Sequence, residues 1–95
     1  MTEDDFRRIA TDQGYDKPNE LTWLSGRFNE WHTHPFDLFV YIIDGEMTLE
    51  LEVDGKVETH PCPAGGSIEV PANVRHTERI SGADTHFLSA PRHPA

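Results

Sequence analysis

The spacing of apolar positions changes once along this chain, close to residue 20. Before that point Phe6, Ile9 and Ala10 recur at helical spacing and make one apolar stripe, which predicts a short helix over residues 2–13. Thr2 is placed to cap it, Glu3, Asp4 and Asp5 suit the positive end of its dipole, and Gly14 stops it. Tyr15 to Asn19, with Pro18, reads as a connector. Beyond it the period shortens to two. "EMTLELEV" alternates cleanly, with Met47, Leu49, Leu51 and Val53 facing one way and Thr48, Glu50 and Glu52 the other. "LFVYII" is apolar on both faces, as expected of a strand covered on both sides. "LTWL", "RFNEWHT", "KVETH", "SIEV", "RHTERI" and "THFLSA" supply further short strands, and many short strands at close spacing predict an antiparallel sandwich or barrel.

Turn residues fit the same plan. Asp54-Gly55 is a two-residue hairpin signal, Pro61 to Gly66 reads as a loop, and Pro71-Ala72-Asn73 as a turn. The division expected is helix and connector over 1–19, barrel over 20–90 and a loose tail over 91–95. Phe28, Val40, Ile42, Met47, Ile68 and Val70 are expected to form the core and cavity wall, with Phe39 and Tyr41 on the opposite face of their strand.

A chain of 95 residues is one domain with room for one small core. Eight Lys and Arg against seventeen Asp and Glu give a net charge of −9, which lacks the electrostatic footprint of a nucleic-acid-binding domain and repels anionic lipid. The opening MTEDDFRRIATDQG is polar and acidic, unlike a secretory leader, and no apolar run approaches the ~20 residues of a membrane span. Cys62 is the one cysteine, so no internal disulfide forms, and a cytoplasmic, reducing compartment is the expectation. Held between two prolines, with nothing beside it to lower its pKa, Cys62 is expected to be unreactive.

The chemistry-bearing stretch is "WHTHPFDLFVYIIDGE", Trp31 to Glu46. On a strand, side chains alternate faces, so His32 and His34 point the same way and can chelate one ion together. Five residues separate Gly26 from His32, and Gly45 follows the apolar strand. Further on, five residues separate Gly65 from Pro71 and four more lead to His76.

In these spacings the chain resembles the cupin superfamily, whose first motif is G(x)5HxH(x)3-4E(x)6G and whose second is G(x)5PxG(x)2H(x)3N. Gly26, His32, His34 and Gly45 are in register with the first, and Gly65, Pro71 and His76 with the second. The resemblance runs from Gly26 to about Ile80. It implies an all-β fold, a double-stranded β-helical (jelly-roll-like) barrel preceded by the short N-terminal helix, with a divalent metal in its mouth. It also implies that His32, His34 and His76 are metal ligands, and that the chain pairs as a homodimer, with Trp23 and Trp31 as candidates for that surface. Three positions depart from the motifs. The metal-binding glutamate falls at Leu38, the second motif's last glycine at Asn73, which can also take the left-handed turn conformation, and its terminal asparagine at Ile80.

Leu38 is the informative departure. Three neutral imidazoles leave a divalent ion its full double charge and one more open position, a site that should hold metal less tightly and attract anionic chelating molecules more strongly. Three-histidine sites occur in zinc hydrases, and within the superfamily the resemblance extends to iron thiol dioxygenases and diketone-cleaving dioxygenases. Fe(II) is the favoured ion, with Mn, Ni or Zn as alternatives. Asp37 is turned away by one residue of parity, whereas Glu78, two residues past His76, shares its face. Glu78 and His86 are the remote candidates for acid–base work; for Glu78 a surface pairing with Arg75 or Arg79 is the competing expectation, and for His86 a surface position. His60 and His93 are expected at the surface. Three readings stay open: a metal-dependent enzyme acting on a small anionic metabolite with dioxygenase-like or isomerase-like chemistry, a non-catalytic small-molecule-sensing module working through a partner, and, behind these, a metal-free barrel that keeps only the fold.

Overall fold

The computed structural model describes residues 1–94 and contains one helix and eight strands. The elements are α1 (Glu3–Asp12), β1 (Asn19–Trp23), β2 (Phe28–His32), β3 (Asp37–Asp44), β4 (Glu46–Val53), β5 (Lys56–Pro63), β6 (Ser67–Val70), β7 (His76–Arg79) and β8 (Thr85–Arg92). Two four-stranded antiparallel sheets result, in the orders β1-β8-β3-β6 and β2-β7-β4-β5. Val40, Ile42, Val70 and Phe87 of the first sheet meet Met47, Leu49, Leu51 and Cys62 of the second in one buried core, which Ile80 completes. No described helix is long and apolar enough to cross a membrane.

The doubly apolar β3 is covered on both faces, as its sequence predicts. Val40 and Ile42 enter the core between the sheets, while Phe39 and Tyr41 face outward under α1. Phe6 is fully buried there, its ring centroid 4.5 Å from Phe39 and 5.5 Å from Tyr41. Thr2 caps α1: its Oγ1 accepts from the Asp5 N–H and its own N–H donates to Asp5 Oδ2. Asp54 and Gly55 both take positive φ in the β4–β5 hairpin, and Asn73 sits at φ +65, the left-handed conformation expected of it.

Several expectations change. Pro61 to Pro63 belong to β5, paired with Thr48, Met47 and Glu46, and are not a loop. β5 is an edge strand, where prolines leave no ladder bond unmade, and Cys62 points inward between them. Burial pushes its thiol pKa up, with Glu46 adding to the effect. β8 continues through Pro91 and Arg92 into the stretch expected as tail, because Arg92 is tied down. Its Nε and Nη2 donate to Asp37 Oδ2 at 3.0 and 2.8 Å, and Nη1 donates to the Gln13 carbonyl at 2.7 Å.

Phe28 is not in the core but 40% exposed, under the Arg79 guanidinium. The cause is a bulge in β2. Asn29 pairs with Glu78 and His32 with His76, so three residues of β2 span two of β7. The extra residue reverses parity, turning Asn29 and His32 both inward and Phe28 outward. Trp23, expected on a dimer surface, instead turns into the molecule and meets Phe87 edge-on at 4.8 Å. Trp31 does remain exposed, beside Arg75.

Candidate metal centre

β2, the segment after it and β7 converge three imidazoles on one point. His76 opens β7, His32 closes β2 opposite it, and His34 follows in the turn that leads to β3. One ligand atom from each lies within 4.8 Å of the others. The expectation that strand alternation alone aligns the first two is corrected, since β2 ends at His32. The backbone beyond it is fixed differently: the His34 carbonyl accepts from the Asn73 N–H at 2.8 Å.

Backbone carbonyls set the orientation of two rings. A carbonyl oxygen only accepts, so His76 Nδ1, 2.9 Å from the Val74 oxygen, carries the proton and leaves a lone pair on Nε2. His32 Nδ1 donates to the Glu30 carbonyl in the same way. His76 is 1% exposed, and its Nε2 has no hydrogen-bond partner; neither has the buried Nδ1 of His34. Two buried nitrogens left without partners are costly unless something binds them. Burial chiefly, then the nearby His76 and His32, lowers the His34 pKa, with Glu78 opposing. At neutral pH His34 therefore offers a lone pair. Three converging imidazoles, two of them oriented by backbone carbonyls and two carrying a nitrogen without a partner, fit a divalent metal ion.

Beside the cluster lies a cavity of about 310 Å³. Trp23, Phe36, Leu38, Val40, Met47 and Phe87 make most of its wall, and Asn19, Asn29 and Ser89 add uncharged polar groups. No lysine or arginine lines it among the described residues. Leu38 reaches this wall from β3, whereas Asp37 is turned away to Arg92 and to the Ala72 N–H.

Glu78 is 5% exposed and lines the cavity, which corrects the expected surface pairing with Arg75 or Arg79. Arg75 bonds Glu52 instead, and Arg79 lies over Phe28. Glu78 Oε1 accepts from Asn29 Nδ2 at 3.1 Å and stands 3.2 Å from His32 Nε2. His86 does not join the site; its Nε2 lies 3.3 Å from Glu20 on a partly exposed face. His60 pairs with Glu58, and the His93 ring lies tilted against Phe36. Asn29 is the residue that sequence reasoning missed, because only the bulge brings it inward.

The model of the family described as "Cupin domain" matches residues 20–91. Among curated proteins, an acireductone dioxygenase of Alcanivorax borkumensis is 33% identical over 82 residues, covering 76% of this chain and 45% of that protein. Another, from Rhodopseudomonas palustris, is 36% identical over 61 residues, 63% of this chain and 36% of that one. The chain thus spans less than half the length of these curated relatives. Among solved structures, Bacillus subtilis oxalate decarboxylase, described with Mn(II) centres, superposes with a TM-score of 0.72 at 17% identity over 78% of this chain and 20% of that one. A conserved protein of unknown function from Streptococcus pyogenes gives 0.66 at 22% identity, covering 80% and 63%. These two likenesses are of fold. With the family model spanning most of the chain and both sheets in place, the chain belongs to the cupin domain family.

Proposed function

We propose that this cupin holds one divalent metal ion on His32, His34 and His76 and binds a small anionic, chelating metabolite in the adjoining cavity, with dioxygenase-type turnover. The observation that carries the reading is the pair of unpartnered buried nitrogens, His34 Nδ1 and His76 Nε2, within reach of His32. Fe(II) is the leading ion, and Mn, Ni and Zn also suit imidazole. When bound, such an ion supplies Lewis acidity and, if it is iron, electrons for dioxygen. The chain's own part is different. The Glu30 and Val74 carbonyls hold two rings in the ligating tautomer. Leu38, Val40, Met47 and Phe87 exclude water, and Asn19, Asn29 and Ser89 present hydrogen-bonding groups to a bound molecule. The acireductone dioxygenase relatives support the reaction class and make acireductones the first compounds to test.

One observation favours a second reading, a binding module without turnover acting through a partner. Among the described lining residues Glu78 is the one carboxylate, and it is held by Asn29 and set against His32 rather than presented free to a bound molecule. Elemental analysis of protein purified without a metal-affinity tag should find one divalent ion per chain, lost in His76→Ala. Substoichiometric metal, or metal indifferent to that substitution, would overturn the site. Oxygen uptake by the iron-loaded protein across acireductones, small thiols, diketones and hydroxy acids separates enzyme from binder.

A further inference from the structure

We propose that Glu78 is the fourth protein ligand of this centre, a carboxylate delivered from β7 in place of the one missing at position 38. The inference rests on the three-histidine reading and changes the charge of its site.

A carboxylate 5% exposed on a cavity wall needs a counter-charge or a full set of donors. Glu78 has one donor, Asn29 Nδ2, and neither neighbouring arginine reaches it. Its other contact places Oε1 3.2 Å from His32 Nε2. With Nδ1–H given to the Glu30 carbonyl, a neutral His32 turns a lone pair toward that oxygen. Two lone pairs facing one another repel, and a cation bound to both converts the repulsion into coordination. The separation from His32 suits this, while the compact set within 4.8 Å is the three histidines alone, so ligation requires the Glu78 carboxylate to turn farther toward them. Adjacent ligands about 2.1 Å from a six-coordinate ion are about 3.0 Å apart, close to the separation found here.

The backbone explains how the replacement works. Position 38 lies on β3 in one sheet, and Glu78 lies on β7 in the other, inward like His76 two residues before it. The β2 bulge brings Asn29 directly opposite Glu78, where it holds Oε1 beside His32. A leucine on the β3 side then closes the cavity wall without leaving the ion short of an anion.

This assignment narrows the substrate class. Three imidazoles and one carboxylate leave a divalent ion a net charge of +1. No basic side chain among the described lining residues adds to it. A monoanionic chelator such as an enediolate or a diketone enolate neutralises that centre, whereas a dianion such as a dicarboxylate leaves a negative charge uncompensated in the cavity.

The test titrates metal-free protein with Co(II), reading visible d–d absorption and affinity against a chromogenic chelator. The forms compared are wild type, His76→Ala, Glu78→Gln and Leu38→Glu/Glu78→Gln. Glutamine keeps the length of Glu78 and its bond from Asn29, and thermal melts of the metal-free forms check that each is folded. Wild type should bind one equivalent and His76→Ala none. Glu78→Gln should bind at least about tenfold more weakly, with shifted bands, and Leu38→Glu should restore much of the lost affinity in that background. If Glu78→Gln keeps wild-type bands, with affinity either reduced or intact, Glu78 is not a ligand, although loss of binding in His76→Ala still upholds the three histidines. Absence of Co(II) binding by the wild type would overturn both.

Discussion

His34 and Asp37 stand three residues apart, and both have depressed pKa values with opposite consequences. For His34, where burial leads, the depression keeps the ring neutral and ready to ligate. For Asp37 it keeps the carboxyl ionised: the Ala72 N–H donates to Oδ1 and Arg92 closes on Oδ2, each favouring the charged form. A carboxyl with a folded-state pKa below its unfolded value adds stability above about pH 4, and that contribution fades as pH falls through the folded value. Asp37→Asn keeps an acceptor for Ala72 but loses the charge. Denaturant midpoints measured between pH 7 and pH 3 should therefore fall more steeply for wild type than for the variant, converging in acid; parallel profiles would remove Asp37 from the pH dependence. The convergence of His32, His34 and His76 was legible in the sequence because two motif spacings carried it. Asn29 and the inward turn of Trp23 were not, since one follows from a bulge and the other from packing against Phe87, neither of which leaves a local signature.

At the level of elements, most of the fold was readable because pattern and propensity agreed. β4 alternates, β3 is covered twice, and α1 has its cap. The errors fell where an element obeys tertiary rather than local rules: prolines admitted to β5 by its edge position, and β8 extended by the anchoring of Arg92. Glycines of the turns show the same division. Gly45, between β3 and β4, has φ +89, and an added Cβ would lie 2.4 Å from Thr85 Oγ1, 2.8 Å from the Asp84 oxygen and 2.9 Å from Thr85 Cα. That hydroxyl also accepts from the Glu46 N–H and donates to the Glu46 carbonyl, so it is not free to move aside. Gly55 has φ +77 but nothing within 4 Å of its added Cβ. Gly55→Ala should cost about 1 kcal/mol from backbone strain, and Gly45→Ala more than ~3 kcal/mol because the clash adds to the strain. Urea denaturation of the two variants measures the difference, and equal losses would mean that the β3–β4 turn relaxes around the methyl.

Across the whole molecule the two sheets divide the work. His32, His76 and Glu78 all stand on the β2–β7 pair, with His34 just beyond it, while β1, β3 and β8 supply most of the cavity wall. The proposed ligands are therefore gathered at one edge of one sheet. β2 is that edge, five residues long and interrupted by its bulge. An ion joining β2 to β7 acts as a staple on a weakly held strand, and binding to the folded state alone raises stability by RT ln(1 + [L]/Kd). At a hundredfold excess over Kd this is about 2.7 kcal/mol, which for a domain of this size is a rise of roughly 10–20 °C in Tm. The net charge of −9 gives divalent ions other places to associate, so the rise must be tied to the site. His76→Ala should melt at one temperature with or without metal. In hydrogen exchange, metal should slow the amides of Phe28–His32 and His76–Arg79 most and leave those of α1 and β5 nearly unchanged. A metal-dependent rise that survives His76→Ala, or protection spread evenly over both sheets, would place the ion elsewhere and leave the β2 edge unstapled.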